Sequence, residues 1–392
     1  MMHLADKRVA VIGTGATAIQ CVPRLARDAG RVYVFQRTPS TVDWRRNRPT
    51  DPDWFASLEP GWQRRRRENF TVQAAGVPVE EDLIDDGWTR IFRAISSPKG
   101  ENRPKTREER DRVVELADMA KMDELRRRVD EIVADPATAE ALKPWYRVMC
   151  KRPTFNDEFL PCFNQDNVTL VDVSDSKGGA RITPGGVVAN GTADEVDLIV
   201  YATGFEISAA FKRRLGIGIN GRDGLSLFDH WADGLKTLHG FTTRGFPNWF
   251  YIGVSQNAFD LNMTSTFDDQ ARHIAYIIAE TLRRGARTVE PTDEGVRGWL
   301  DLLGSFHIGG GGFLAECTPG YYNNEGQPTG GSGFFGAYAP GPARFNQLLE
   351  DWRATREALD EDVGTEAHLS GIRGDLFPAD SEVGRWLTEA ER

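Results

Sequence analysis

The chain has 392 residues, of which 40 % are apolar and 27 % charged. That composition belongs to a folded globular protein with room for about two or three domains; it excludes collagen-like, disordered and disulfide-stapled mini-protein classes. Forty-eight basic against 58 acidic side chains leave a net charge of −10, the wrong sign for a general nucleic-acid binder.

No run approaches the roughly 18 uninterrupted apolar residues of a membrane span. Residues 1–7 lack the apolar core of a secretory signal. The cysteines, Cys21, Cys150, Cys162 and Cys317, form no C-x-x-C pair. They read as inert, half-buried thiols suited to a reducing, cytoplasmic setting.

The opening is the most legible stretch. Residues 7–12 form a short β-branched run, a buried strand. Gly13-Thr14-Gly15-Ala16-Thr17-Ala18 follows at once. A helix is expected over 18–29, with Ile19, Val22, Leu25 and Ala26 on one face; Pro23 is tolerable near its start. Gly30 ends it, and residues 31–35 form a second strand. The whole is one β-α-β unit.

From 49 to 144 charges crowd in and β-branched residues thin out, which marks a helical insertion. Helices are expected at 54–70 and 81–95. One long amphipathic helix, or two, is expected over 108–133, with Val113, Leu116, Met119 and Leu125 inward. The arginine runs at 64–67 and 126–128 read as solvated helix faces. Strands return at 168–173, 181–183, 187–189 and 196–201, and again near 249–252. Helices are expected at 267–284 and 343–359. Between them lies a Gly-rich stretch, 309–341, too aromatic for a simple linker. The tail from Glu361 is acidic and reads as loosely ordered.

G-x-G-x-x-A between a strand and a helix is the setting of a dinucleotide cradle. Gly13 permits the tight turn. Gly15 lets the backbone approach a pyrophosphate, which then meets the free N–H groups and positive field of the helix N-terminus. Ala18 keeps helix and strand close. After the second strand, an acidic residue would take the ribose hydroxyls of NAD. Here the residues are Gln36-Arg37-Thr38. Arg37 can fork onto a 2′-phosphate and Thr38 can donate to it, so the reading is NADP(H). Cys150-Lys151-Arg152-Pro153 places two cations in a row. On an extended chain they point opposite ways and can serve two sites; from the residues alone they read first as surface cations. The six histidines have no metal-ligand spacing, and Gly253-Val-Ser255-Gln-Asn257 fails the nucleophile-elbow pattern. No metal site is expected.

These segments carry a resemblance. The chain is similar to roughly the C-terminal two-thirds of a Baeyer–Villiger monooxygenase, a class B flavoprotein monooxygenase. Val11-Ile-Gly13-Thr-Gly15-Ala-Thr-Ala18-Ile-Gln20 resembles the family's NADP fingerprint, and Val34-Phe-Gln-Arg37-Thr38-Pro39 the strand end after it. Cys150-Lys-Arg152-Pro and Phe163-Asn-Gln-Asp-Asn167-Val resemble the return segment. Residues 197–205 resemble the Ala-Thr-Gly-Phe hinge, and Phe246-Pro-Asn-Trp-Phe250 the strand beyond. Cys317-Thr-Pro-Gly-Tyr-Tyr-Asn-Asn-Glu-Gly326 is similar to a loop of a branch acting on larger ketones.

The resemblance implies an α/β fold. A Rossmann-type NADP-binding domain would take 5–48 and 145–204, interrupted by the helical insertion at 49–144. Residues 205–392 would be the later part of an FAD-type α/β domain with a substrate-side loop and tail. It implies that Gly13, Thr14, Gly15, Ala16, Thr17, Ala18 and Gln20 hold the coenzyme, that Lys151 joins Arg37 and Thr38 at the 2′-phosphate, and that Arg152 is the catalytic arginine beside the flavin. Arginine suits that place because it keeps its proton beside a developing anion. The implied reaction uses NADPH, FAD and O2 to insert oxygen next to a ketone carbonyl, giving an ester or lactone. An N- or S-oxygenating flavin monooxygenase shares the two-nucleotide plan. A rival of another class is a non-catalytic NADP-binding remnant. The family's FAD G-x-G-x-x-G and its F-x-G-x-x-x-H fingerprint do not precede Lys7, and its late tryptophan near the nicotinamide ribose has no clear counterpart. The expectation is therefore a fragment, a split gene product or a truncated gene, inactive alone, whose partner would be the missing FAD-binding segment. The other expected partners are a ketone and O2, with neither nucleic acid nor membrane.

Overall fold

A computed structural model describes residues 3–74, 79–95, 106–176, 178, 180–205, 211–258, 260–306, 316–320, 322–326 and 337–355. The chain divides into two units. The first holds residues 1–206 together with 314–327; the second holds 207–313 and 328–392.

The first unit is built on a parallel sheet. Strand β1 (Arg8–Ile12) pairs with β2 (Arg31–Gln36) on one side and β9 (Leu198–Tyr201) on the other. Strand β5 (Val168–Asp172) adds to β2, giving the order β5-β2-β1-β9. Val9, Ala10 and Val11 are all fully buried, because both faces of this central strand are covered. Alternation divides them. Val9 and Val11 meet helix α1 (Ala16–Asp28) through Ala18, Ile19 and Val22. Ala10 faces the other way, onto Phe35, Val187 and Ala189. That second face is covered by an antiparallel ribbon of β6 (Arg181–Thr183), β7 (Gly186–Ala189) and β8 (Thr192–Glu195). Strand β8 had no signal in the sequence.

The two-residue strands β3 (Val42–Asp43) and β4 (Thr154–Phe155) pair in parallel, with five α-helices between them among the described residues. These are α2 (Pro52–Ala56), α3 (Trp62–Ala74), α4 (Gly87–Ile95), α5 (Arg107–Ile132) and α6 (Pro136–Leu142). Helix α5 is a single helix, opened by a capping box between Thr106 and Glu109. Its expected inner face is shifted. Leu116 and Met119 are exposed, while Met122, Leu125 and Val129 are buried. Only the C-terminal half of α5 joins the sheet's core, with α6 and α7 (Phe159–Cys162).

The arginine run at 126–128 is not a solvated face throughout. Arg128 is buried, donates to the Val42 and Asn156 carbonyls at 3.1 and 3.2 Å, and lies 3.5 Å over the Trp44 ring. In the earlier run, Arg66 donates to the Leu83 carbonyl. An amphipathic reading fails here because α5 uses charged side chains as inner struts. Lys121 reaches Asp43 at 2.8 Å, and Asp118 takes Arg147 at 2.9 Å.

The second unit contains α8 (Phe211–Leu215), α9 (Leu227–His230), α10 (Met263–Arg283), α11 (Asp293–Ser305) and α12 (Pro342–Thr355). Helix α11 was not expected from the sequence. Its Trp299 and Leu303 pack on Phe345 and Leu349 of α12. Residues 249–252 are not a strand. Trp249 and Tyr251 instead pack edge-to-face against Trp231, at ring distances of 5.8 and 5.9 Å. Most of the Gly-rich stretch and the acidic tail lie outside the described residues.

Candidate functional site

The glycine turn between β1 and α1 has a steric cause. Gly13 sits at φ +108°, and a Cβ there would lie 2.5 Å from the Ala202 carbonyl oxygen at the end of β9. Only glycine fits. Gly15 caps α1 with no side-chain hydrogen bond, and a Cβ on it would meet nothing within 4 Å. The first turn of this 13-residue helix therefore opens onto free space with its N–H groups forward. Ala18, the third position of the motif, is fully buried between helix and strand.

The turn is braced from the loop after β2. The Thr14 hydroxyl donates to the Thr38 carbonyl at 2.8 Å, and the Ser40 hydroxyl to the Thr14 carbonyl at 2.6 Å. The Gln20 amide donates back to the Ala16 carbonyl at 2.8 Å. Ala16 is half-buried and Thr17 exposed. Gln36 is buried, donating to the Ala141 carbonyl. The residue that emerges from the end of β2 is thus Arg37, with Thr38 next to it.

Lys151 reaches the same place from far along the chain. Asp118 on α5 accepts from the Val148 N–H at 2.8 Å as well as from Arg147. This fixes the backbone that leads into Cys150-Lys151-Arg152. Tyr146 donates to the Pro39 carbonyl at 2.7 Å, and its ring lies 5.8 Å from the Lys151 ammonium. Burial first, and nearby Arg37 second, push the Lys151 ammonium down to about 8, with Glu325 opposing both. Arg152 is exposed, and its guanidinium has no hydrogen bond or ion pair among the described residues. So Gly13, Gly15, Arg37, Thr38 and Lys151 converge on one end of the sheet, with Arg152 beside Lys151 in the chain.

Two features were not read from the sequence. Cys150 and Cys317 form a disulfide, so the reading of four inert thiols is corrected for this pair; Cys21 and Cys162 stay free. The cause is proximity across 167 residues of chain, which spacing cannot reveal. Glu325 pairs with Arg37 at 2.8 Å. The only signal was its place in the Cys317–Gly326 motif.

No protein-family model matches the chain. Individual proteins do. It is 44 % identical over 364 residues to neopentalenolactone D synthase of Streptomyces avermitilis, covering 91 % of this chain. It is 44 % identical over 370 residues to a Baeyer–Villiger monooxygenase of Streptomyces coelicolor, covering 93 %. Among solved structures, the polycyclic ketone monooxygenase of Thermothelomyces thermophila superposes on 91 % of the chain with a TM-score of 0.79 at 37 % identity. The chain is homologous to the Baeyer–Villiger monooxygenases. A cyclohexanone monooxygenase of that family from a Rhodococcus species, solved with NADP+ bound, gives a TM-score of 0.68 at 26 % identity. The chain spans 60 % of the length of both Streptomyces relatives and 59 % of the Thermothelomyces enzyme.

The glycine cradle and its two cations suit a nicotinamide dinucleotide phosphate. A second cradle, for FAD, is not built by the described residues. Gly216-Ile-Gly218-Ile-Asn-Gly221 repeats the glycine spacing, but it follows helix α8, not a strand, and leads into a three-residue turn. Gly221 is needed there because a Cβ would meet the Gly245 carbonyl oxygen at 2.1 Å, which is internal packing. No described helix is long and apolar enough to cross a membrane.

Proposed function

We propose that the chain provides the NADPH-binding part of a Baeyer–Villiger monooxygenase, an enzyme that inserts one oxygen of O2 beside a ketone carbonyl to give an ester or lactone. In this reading 5–48 and 145–204 form the NADP domain, 49–144 its helical insertion, and 205–392 the later part of an FAD-type domain. The observation that carries it is the open N-terminus of α1 behind Gly13 and Gly15, with Arg37 and Lys151 beside it, in a chain homologous to these enzymes.

The roles of the residues follow from their chemistry. The N–H groups of α1 hold the pyrophosphate. Arg37, Thr38 and Lys151 take the 2′-phosphate, where charge-assisted hydrogen bonds are strongest. Arg152 holds a fixed positive charge towards the reacting centre. FAD, when bound, supplies the oxygen-activating chemistry.

The chain as given is expected to bind NADP+ but to take up no stoichiometric FAD, read from its visible spectrum after FAD is added. Fused to the part of the Streptomyces coelicolor relative that lies outside the match, it should convert a polycyclic ketone to a lactone carrying one atom from isotopically labelled O2. Absence of labelled lactone from a fusion that binds FAD and NADPH would exclude the reaction.

Lys151 gives a second test. Burial holds its ammonium well below the usual lysine range, at about 8. The 2′-phosphate, with a second pKa of about 6, keeps its charge above neutrality. Well below pH 8 the lysine is already charged, so binding takes up almost no proton there. Above it, binding must restore the proton, and affinity falls by up to about tenfold per pH unit. NADPH titrations from neutral to alkaline pH should show this fall in the parent and not in Lys151→Gln.

A further inference from the structure

Glu325 occupies a place that the coenzyme needs. Its carboxylate meets Arg37 at 2.8 Å and acts electrostatically on Lys151 as well, against the effect of Arg37. The Pro319 carbonyl accepts from the Lys151 ammonium at 3.0 Å. One short segment thus supplies acceptors to both cations that the proposed function assigns to the 2′-phosphate.

This is a built arrangement, not a side chain drifting across a surface. Cys317 is tied to Cys150, the residue before Lys151. Asn323 is buried and acts as a hub. Its side chain accepts from the Gly320 and Gly326 N–H groups at 2.9 and 3.1 Å and donates to the Cys317 carbonyl at 3.1 Å. The Glu325 N–H closes the turn onto the Gly320 carbonyl at 2.9 Å. Glu325 itself sits at φ +57° and Asn324 at φ +49°. A glutamate held in the left-handed region is uncommon and is kept only where surrounding structure fixes it.

We propose that Glu325 is an internal counter-anion of the 2′-phosphate site, holding Arg37 until a 2′-phosphorylated nucleotide displaces it, and so tunes coenzyme selectivity. The inference rests on the reading of Arg37 and Lys151 as that site. The displacement is required by charge. A 2′-phosphate carries about −1.5 to −2 and cannot share one guanidinium fork with a carboxylate without like-charge repulsion. Displacement is also feasible, because the pair is half in water: the side chains of Arg37 and Glu325 are 43 % and 54 % exposed. An exposed pair of this kind limits the effect to about two- to fivefold in affinity.

The test is calorimetric binding of 2′,5′-ADP and of 5′-ADP to the full chain and its variants, at low and high salt. Glu325→Gln should tighten 2′,5′-ADP about two- to fivefold at low salt and less at high salt. The affinity for 5′-ADP, which lacks the 2′-phosphate, should stay unchanged and reports that the cradle is still folded. Arg37→Ala must weaken 2′,5′-ADP. Loss of that weakening overturns the site assignment and the inference with it. If Arg37→Ala weakens 2′,5′-ADP but Glu325→Gln leaves it unchanged or weakens it too, the site stands and the competition is overturned.

Discussion

Arg152→Ala is expected to cut ester formation at least about 100-fold, the usual cost of removing one fixed donor from an oxyanion-type site. NADPH affinity should stay within about twofold. The separation follows from the chain's geometry. Lys151 and Arg152 are neighbours on extended backbone, so they point to opposite sides. Lys151 is turned to Tyr146 and Pro319. Arg152 is exposed with no partner among the described residues. A guanidinium with no internal carboxylate keeps its full charge for whatever anion forms beside it, and it cannot lose its proton. The measurement is product yield against oxygen consumption in the FAD-loaded fusion. Oxygen use without ester is the expected symptom, and Arg152→Lys should restore part of the yield. Product within a few-fold of the parent in Arg152→Ala would remove the residue from the reaction.

Arg37→Ala is expected to weaken NADPH by at least about tenfold and to leave NADH nearly unchanged. A charge-assisted hydrogen bond contributes about 1.5–3 kcal/mol, and about 1.4 kcal/mol is tenfold. The ion pair with Glu325 offsets part of that in the parent, but exposed pairs contribute about 1 kcal/mol or less. The phosphate contact therefore wins. Titration calorimetry with both nucleotides decides it: equal losses for NADPH and NADH would place Arg37 on the adenine or the shared pyrophosphate and not on the 2′-phosphate.

The parallel sheet was legible because its signals are local. Val9 to Val11 and Val32 to Val34 are apolar on both faces, and the glycines fall where a strand must turn into a helix. Helix α5 was legible as a helix but not in its facing. Asp118, Lys121 and Arg128 lie inward on ion pairs and carbonyls supplied by β3, Arg147 and Asn156. A charge turned inward looks the same in a sequence as a charge turned to water. The expected strand at 249–252 fails for a related reason: its aromatic residues pack edge-to-face on Trp231, and apolar alternation does not distinguish ring packing from strand pairing.

The sequence by itself carried the glycine turn between strand and helix, the proposal of a phosphate-bearing nucleotide beside Arg37 and Thr38, and the resemblance to the Baeyer–Villiger monooxygenases that the relatives bear out. Each of these depends on residues within one short β-α-β unit, or on motifs kept in a fixed order. Tertiary structure alone decided what surrounds those residues. Only folding brings Lys151 beside Arg37, ties Cys150 to Cys317 across 167 residues, and sets the Glu325 carboxylate on the Arg37 guanidinium. The physical reason is that a charge, a thiol or a carboxylate acts through space, over a few ångströms, and distance along the chain carries no record of it.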